Sequence, residues 1–163
     1  MSEQNLPIRL RPATEEDVPF VFNSWLKSYR SSVATKHISN TIFFAEQHKI
    51  IEALVLQNKV IMACNDKDPS QVYGYICAGE VEGIFTLHFI YVKHSFRNLG
   101  IGKMLLNAFE HNTDTAAIYT HHTRFADKLA PKYNFIYHPY TVFPVVFEYY
   151  KRREAEAKQE ESK

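Results

Sequence analysis

Two features of this chain have residue types and spacings that do chemistry. One is a histidine, His88, set inside an apolar run; the other is a pair of glycines, Gly100 and Gly102, following a basic residue, Arg97. His88 interrupts Ile84–Val92, a run of β-branched, aromatic and aliphatic residues whose other polar member is Thr86. An imidazole titrates close to neutral pH, so it suits taking a proton from an ammonium group. On a two-residue strand period, Thr86, His88 and Ile90 share one face, and Leu87, Phe89 and Tyr91 the other. The competing role for His88 is structural, as a core histidine with a satisfied hydrogen bond. The glycine segment, Arg97-Asn98-Leu99-Gly100-Ile101-Gly102-Lys103, suits a phosphate group. Successive backbone N–H groups can line one concavity where glycines clear the approach. A helix starting there adds its unpaired N–H groups and the positive end of its dipole. The segment lacks the third glycine of a dinucleotide fingerprint and the Gly-Lys-Ser/Thr of a Walker loop. By itself it equally fits a plain strand-to-helix turn.

The surrounding pattern supplies elements to hold both features. Ile8 to Arg11 alternates like an edge strand, and Thr14 with Glu15, Glu16 and Asp17 reads as a helix start. Val18, Val21, Phe22, Trp25 and Tyr29 then recur at helical spacing, and a second helix is expected over Phe43 to Leu56. Val60 to Cys64 and Val72 to Ala78 read as a hairpin around Asn65–Ser70, with Ile84 to Val92 as the next strand. A helix from Gly100 is expected to bury Met104, Leu105, Ala108 and Phe109. A strand over Ala116–Tyr119, a short helix over Arg124–Ala130 and a strand at Phe135–Tyr137 follow. Val142 to Tyr149, with Pro144 inside it, is expected to be a final edge or bulged strand. The fold class is thus α/β (α+β), with a mixed, mostly antiparallel sheet of six to seven strands and about four helices. One domain is expected over 1–150, with a charged tail over 151–163.

With 163 residues, 45% of them apolar, the chain is long enough to bury one core. A net charge of +1 carries no polyelectrolyte footprint, so an extended nucleic-acid surface is not implied. Cys64 and Cys77 lie in apolar stretches and read as buried thiols of a reducing compartment. Met1 to Pro7 has no apolar leader pattern and no run reaches membrane-spanning length, so a cytoplasmic protein is expected.

The stretch Ile90 to Leu106, with Arg97-Asn98-Leu99-Gly100-Ile101-Gly102 at its centre, resembles the central motif of the GNAT superfamily of N-acetyltransferases. The order of elements over Ile8 to Tyr149 is similar as well. The resemblance implies acetyl-CoA as cosubstrate. Its pyrophosphate would lie on backbone N–H groups of Leu99, Gly100, Ile101, Gly102 and Lys103, with Arg97 and Asn98 at the rim. The main chain of Ile90, Tyr91 and Val92 would pair with the pantetheine arm. Some members carry a histidine at the place of His88 and a second at the place of Thr86, where this chain departs. Many carry a Tyr-x-x-x-Gly-Phe segment whose tyrosine protonates the thiolate. The matching stretch is Ala130-Pro131-Lys132-Tyr133-Asn134-Phe135, so that tyrosine is missing. Tyr133, His121, His122 or Tyr119 could replace it, or water could protonate the thiolate; His88, Tyr133 and His121 are taken as the catalytic set.

By the same resemblance the acceptor pocket involves the first two helices, with Trp25, Tyr29 and Arg30 as candidate contacts, unless these are simply core. The segment Phe22 to Arg30 resembles acetyltransferase-like proteins of tailed bacteriophages. That implies a small-molecule amine, or an amine on a modified nucleobase, as acceptor. A CoA-binding module without catalysis and a protein N-acetyltransferase are the alternatives, in either case a monomer or homodimer. No metal site is expected, since adjacent His121 and His122 on a strand point apart.

Overall fold

Six apolar segments pair side by side in chain order: β1 (Ile8–Pro12), β2 (Lys59–Asn65), β3 (Val72–Val81), β4 (Ile84–Val92), β5 (Ala117–Tyr119) and β6 (Phe135–Tyr137). The structure, a computed structural model, describes residues 6–112 and 114–162, so most of the Met1–Pro7 segment lies outside it. Neighbours from β1 to β4 run antiparallel, whereas β4–β5 and β5–β6 are parallel. Five α-helices cover the sheet: α1 (Val18–Arg30), α2 (Asn40–Gln57), α3 (Ile101–Asn107), α4 (Arg124–Tyr133) and α5 (Val142–Glu161). None among the described residues is long and apolar enough to cross a membrane.

The sheet separates two cores. Ile76, Leu87 and Ile90 pack with Ile101 and Leu105 of α3 on one side; Tyr75, Cys77 and Phe89 pack with Trp25, Leu54 and Val142 on the other. Cys64 and Cys77 are both buried and unbridged. The start of α1 is pinned by Asp17, whose carboxylate accepts from the Thr14 N–H at 2.8 Å and pairs with the Arg11 guanidinium at 2.6 Å. That guanidinium holds the Asp17 carboxyl below its ordinary value.

The segment expected as a last strand is instead the first half of α5. Its β-branched and aromatic residues favour a strand locally, but Val142, Val145, Val146 and Tyr149 also recur at helical spacing. Val142, Val145 and Val146 close over the core beneath α1 and α2, and packing overrides local preference here. Pro144 sits in the first turn, where an intrahelical donor is not required. The charged residues from Lys151 to Glu161 continue the same helix. Arg153 meets Glu52 of α2 at 3.0 Å, and the Tyr150 hydroxyl donates to the same carboxylate at 2.8 Å.

A second departure lies inside β4. Cys77 pairs with Phe89 and Ala78 with Leu87, so His88 is an extra residue, a β-bulge. The two-residue period therefore breaks at His88. Leu87 and Ile90 face the α3 side together, and Phe89 faces α1, in place of the uninterrupted alternation expected.

Candidate active site

The bulge coincides with a fork in the sheet. Ladder pairing of β4 with β5 covers Thr86–Ile118 and Leu87–Tyr119, and the Thr120 N–H adds a last bond to the Leu87 carbonyl at 3.0 Å. Beyond Leu87, β4 continues for five residues without a partner on that edge. Backbone polar groups alternate between a strand's two edges. The Lys93 N–H donates to Tyr73 of β3, so the polar groups of Tyr91 also turn toward β3. Those of Ile90 and Val92 face the open edge, where the Val92 carbonyl accepts from Arg97 Nε at 3.0 Å. Of the three residues expected to offer main-chain pairing, Tyr91 is therefore engaged with β3 and the Val92 carbonyl with Arg97, which leaves Ile90 and the Val92 N–H on the open edge.

The fork opens into a cleft of about 400 Å³, walled by Phe89–Val92, Arg97, Ser28 in the last turn of α1, Ser31–Val33 after it, and His122–Phe125 with Asp127. His88 is not part of that wall; it lines a narrow adjoining crevice, too tight for a water, that shares Phe89, Ile90 and Thr123 with the cleft. The ring is 1% exposed. Its Nδ1 lies 3.1 Å from Thr120 Oγ1, which lies 2.8 Å from His121 Nδ1. His88 Nε2 is buried and has no hydrogen-bond partner among the described residues. Burial lowers the His88 pKa to about 4, and that of His121, also repelled by His88, to about 3. Both rings are neutral in the folded protein, whereas in the unfolded chain they take up protons below about pH 6.5. The unfolded state then binds more protons, so stability falls as pH drops from about 6.5 toward 4. We expect the urea midpoint to be lower at pH 5 than at pH 7; equal midpoints would contradict neutral burial of these rings.

At the Arg97–Lys103 turn, Asn98 and Gly100 adopt left-handed conformations, φ +66° and +81°, and reverse the chain into α3. A Cβ at Gly100 would meet nothing within 4 Å, so glycine is favoured there by backbone conformation alone. At Gly102 the reason is contact: a Cβ would come 2.7 Å from the Phe125 ring of α4. Asn98, Leu99, Gly100 and Lys103 are exposed, while Ile101 is buried with Leu105 and Leu106.

Several candidate residues have other duties. Trp25 is fully buried and stacks on Phe89 at 4.5 Å; Tyr29 is 8% exposed and meets the His121 ring edge-on. Arg30 binds Thr35 and Ile38 carbonyls and Asn40 Oδ1, tying the end of α1 to the start of α2. These three organise the core and a loop instead of lining the cleft. Tyr133 packs against Phe135, away from the cleft wall. His121 is sealed among Trp25, Tyr29 and Phe89, while His122 turns to the cleft, so the adjacent rings do diverge. Sequence reasoning passed over Thr120 and Asp127. The available signal was the polar run Thr120-His121-His122-Thr123 at the carboxyl end of a strand, where ligands bind in open α/β sheets.

The acetyltransferase (GNAT) family model matches residues 19–125, and the chain belongs to that family. It is an acetyl-CoA-dependent acetyltransferase. No curated protein matches the chain. Among solved structures it is similar to the PaiA N-acetyltransferase of Thermoplasma acidophilum in complex with coenzyme A, at 21% identity over 63% of this chain and 69% of that one, TM-score 0.48. A putative acetyltransferase of Pyrococcus furiosus matches at 20% identity over 80% and 81% of the two chains, TM-score 0.48. A ribosomal-protein-alanine N-acetyltransferase of Brucella melitensis matches at 24% identity over 63% and 64%, TM-score 0.43.

Proposed function

We propose that this chain transfers the acetyl group of acetyl-CoA to a primary amine of a small molecule by direct attack at the fork. The observation that carries this reading is the open edge of β4 ending at a buried, unpaired imidazole nitrogen. The main-chain groups of Ile90 and the Val92 N–H are offered to the amides of a pantetheine arm. The turn at Arg97, Asn98, Leu99, Gly100, Ile101, Gly102 and Lys103 offers N–H groups and two cationic side chains to the pyrophosphate. His88 Nδ1–H donates to Thr120, whose hydroxyl donates on to His121 Nδ1, which leaves the Nε2 lone pair of His88 free. That nitrogen takes the amine's proton once the N–C bond has formed, when the nitrogen is far more acidic than a free ammonium. A neutral imidazole with a low pKa keeps its lone pair throughout the physiological range.

The acceptor amine is assigned to the side of the cleft lined by Ser28, Ser31, Ser32 and Val33. Acetyl-CoA at about a hundred times its Kd should add about 2.7 kcal/mol to stability, read as a rise in melting temperature. Thiol release is then followed with polyamines, amino-bearing nucleosides, and a lysine peptide. No thermal shift would overturn the cleft assignment. Release with the peptide alone would overturn the small-acceptor reading.

A further inference from the structure

We propose that His122, held by Asp127, donates the proton that the departing thiolate takes up, in place of the tyrosine missing at Ala130. The assignment rests on the thioester lying in the cleft beside β4, as above. His122 and Asp127 line the same cleft as Ile90, Tyr91 and Val92. The other candidates are engaged elsewhere. Tyr133 packs on Phe135, His121 is enclosed by aromatic rings and bonded to Thr120, and the Tyr119 hydroxyl donates to Asp127 at 3.0 Å.

The pair is built for direction. His122 Nδ1 lies 2.8 Å from Asp127 Oδ1, and Thr123 caps α4, fixing Asp127 in the helix's first turn. With Nδ1 committed to the carboxylate, Nε2 is the ring atom left to exchange a proton with a ligand. Ala130 lies three residues after Asp127 on the same helix, so the two positions share a face. The carboxylate thus holds an imidazole on the cleft wall, while Ala130 packs against the core. The His122 side chain is 37% exposed and can be reprotonated from solvent. Facing it are Tyr119 from β5, Asp127 and Arg124 from α4, and Tyr137 from β6, whose ring is 5.3 Å away.

The step balances. The amine nitrogen bonds the acetyl carbon, the C–S pair moves to sulfur, and the imidazolium Nε2–H passes its proton to that sulfur. His122 is left neutral with Nδ1–H on Asp127. The amine's own proton goes to His88 and from there to solvent.

The test is the pH–rate profile of thiol release at saturating acetyl-CoA, with acetyl-CoA affinity measured separately. His122→Gln should lower kcat roughly a hundredfold with unchanged affinity, and should lose the fall in rate at alkaline pH that marks a required acid. Asp127→Asn should change the profile in the same direction with a smaller loss. A His122→Gln kcat within about twofold of wild type overturns the donor role, as does an intact alkaline limb. So does a loss confined to acetyl-CoA affinity. Failure of wild-type protein to bind acetyl-CoA would instead remove the cleft assignment itself.

Discussion

Replacing His88 with alanine is expected to lower kcat for thiol release by about 10²–10⁴-fold while acetyl-CoA affinity stays near wild type. The separation follows from geometry. His88 lies at the inner end of the fork, whereas the groups assigned to the cofactor arm and pyrophosphate lie along Ile90–Val92 and at residues 97–103. His88→Gln is the companion variant, since an amide can still reach Thr120 but offers no titrating lone pair. It should be nearly as slow. Because burial lowers the His88 pKa to about 4, the base stays competent down to mildly acidic pH. The rate should therefore show no acidic limb from this residue between about pH 5 and 8. Stopped or single-turnover thiol assays over that range decide the matter. An alanine variant as fast as wild type would return His88 to a purely structural role.

Trp25→Ala should cost about 3–5 kcal/mol of folding stability, read as a lowered urea midpoint. Against the 5–15 kcal/mol typical of a domain, that is a large fraction. Trp25 is completely buried and its indole stacks on Phe89, the first β4 residue past the bulge; His121 touches its edge. Removing it takes away the surface on which the back of the fork rests. A role for Trp25 in holding the acceptor predicts a different result, a raised acceptor KM at unchanged stability. That outcome would refute the core assignment.

What could be read from the residues was uneven, for physical reasons. The bounds of β4 are legible because a nine-residue run broken only by Thr86 and His88 is flanked by an acidic turn at Glu82-Gly83 and by the basic Lys93-His94. The turn before α3 is legible because only certain sequences reverse a chain with two left-handed residues. Asn134 is legible as a stand-in for glycine at the end of α4, where it adopts φ +58°. Helix α5 was obscured because Val, Phe and Tyr favour extended backbone, and the surface that overrides them belongs to α1 and α2. The bulge was illegible: no residue type marks it, and only the partner strand's count reveals it. The same holds for Thr120 and Asp127, whose roles exist only once β5 lies beside β4 and α4 folds back across its end.

That bulge makes the cleft depend on contour length. Between the pairs at Cys77 and Ala78, β4 spends two residues where β3 spends one, a surplus of about 3.3 Å of chain. The surplus falls just where β5 lets go. Substitutions on β4 change what the cleft is made of, but shortening this strand by one residue would bring β4 back into step with β3 and remove the step at which the fork begins.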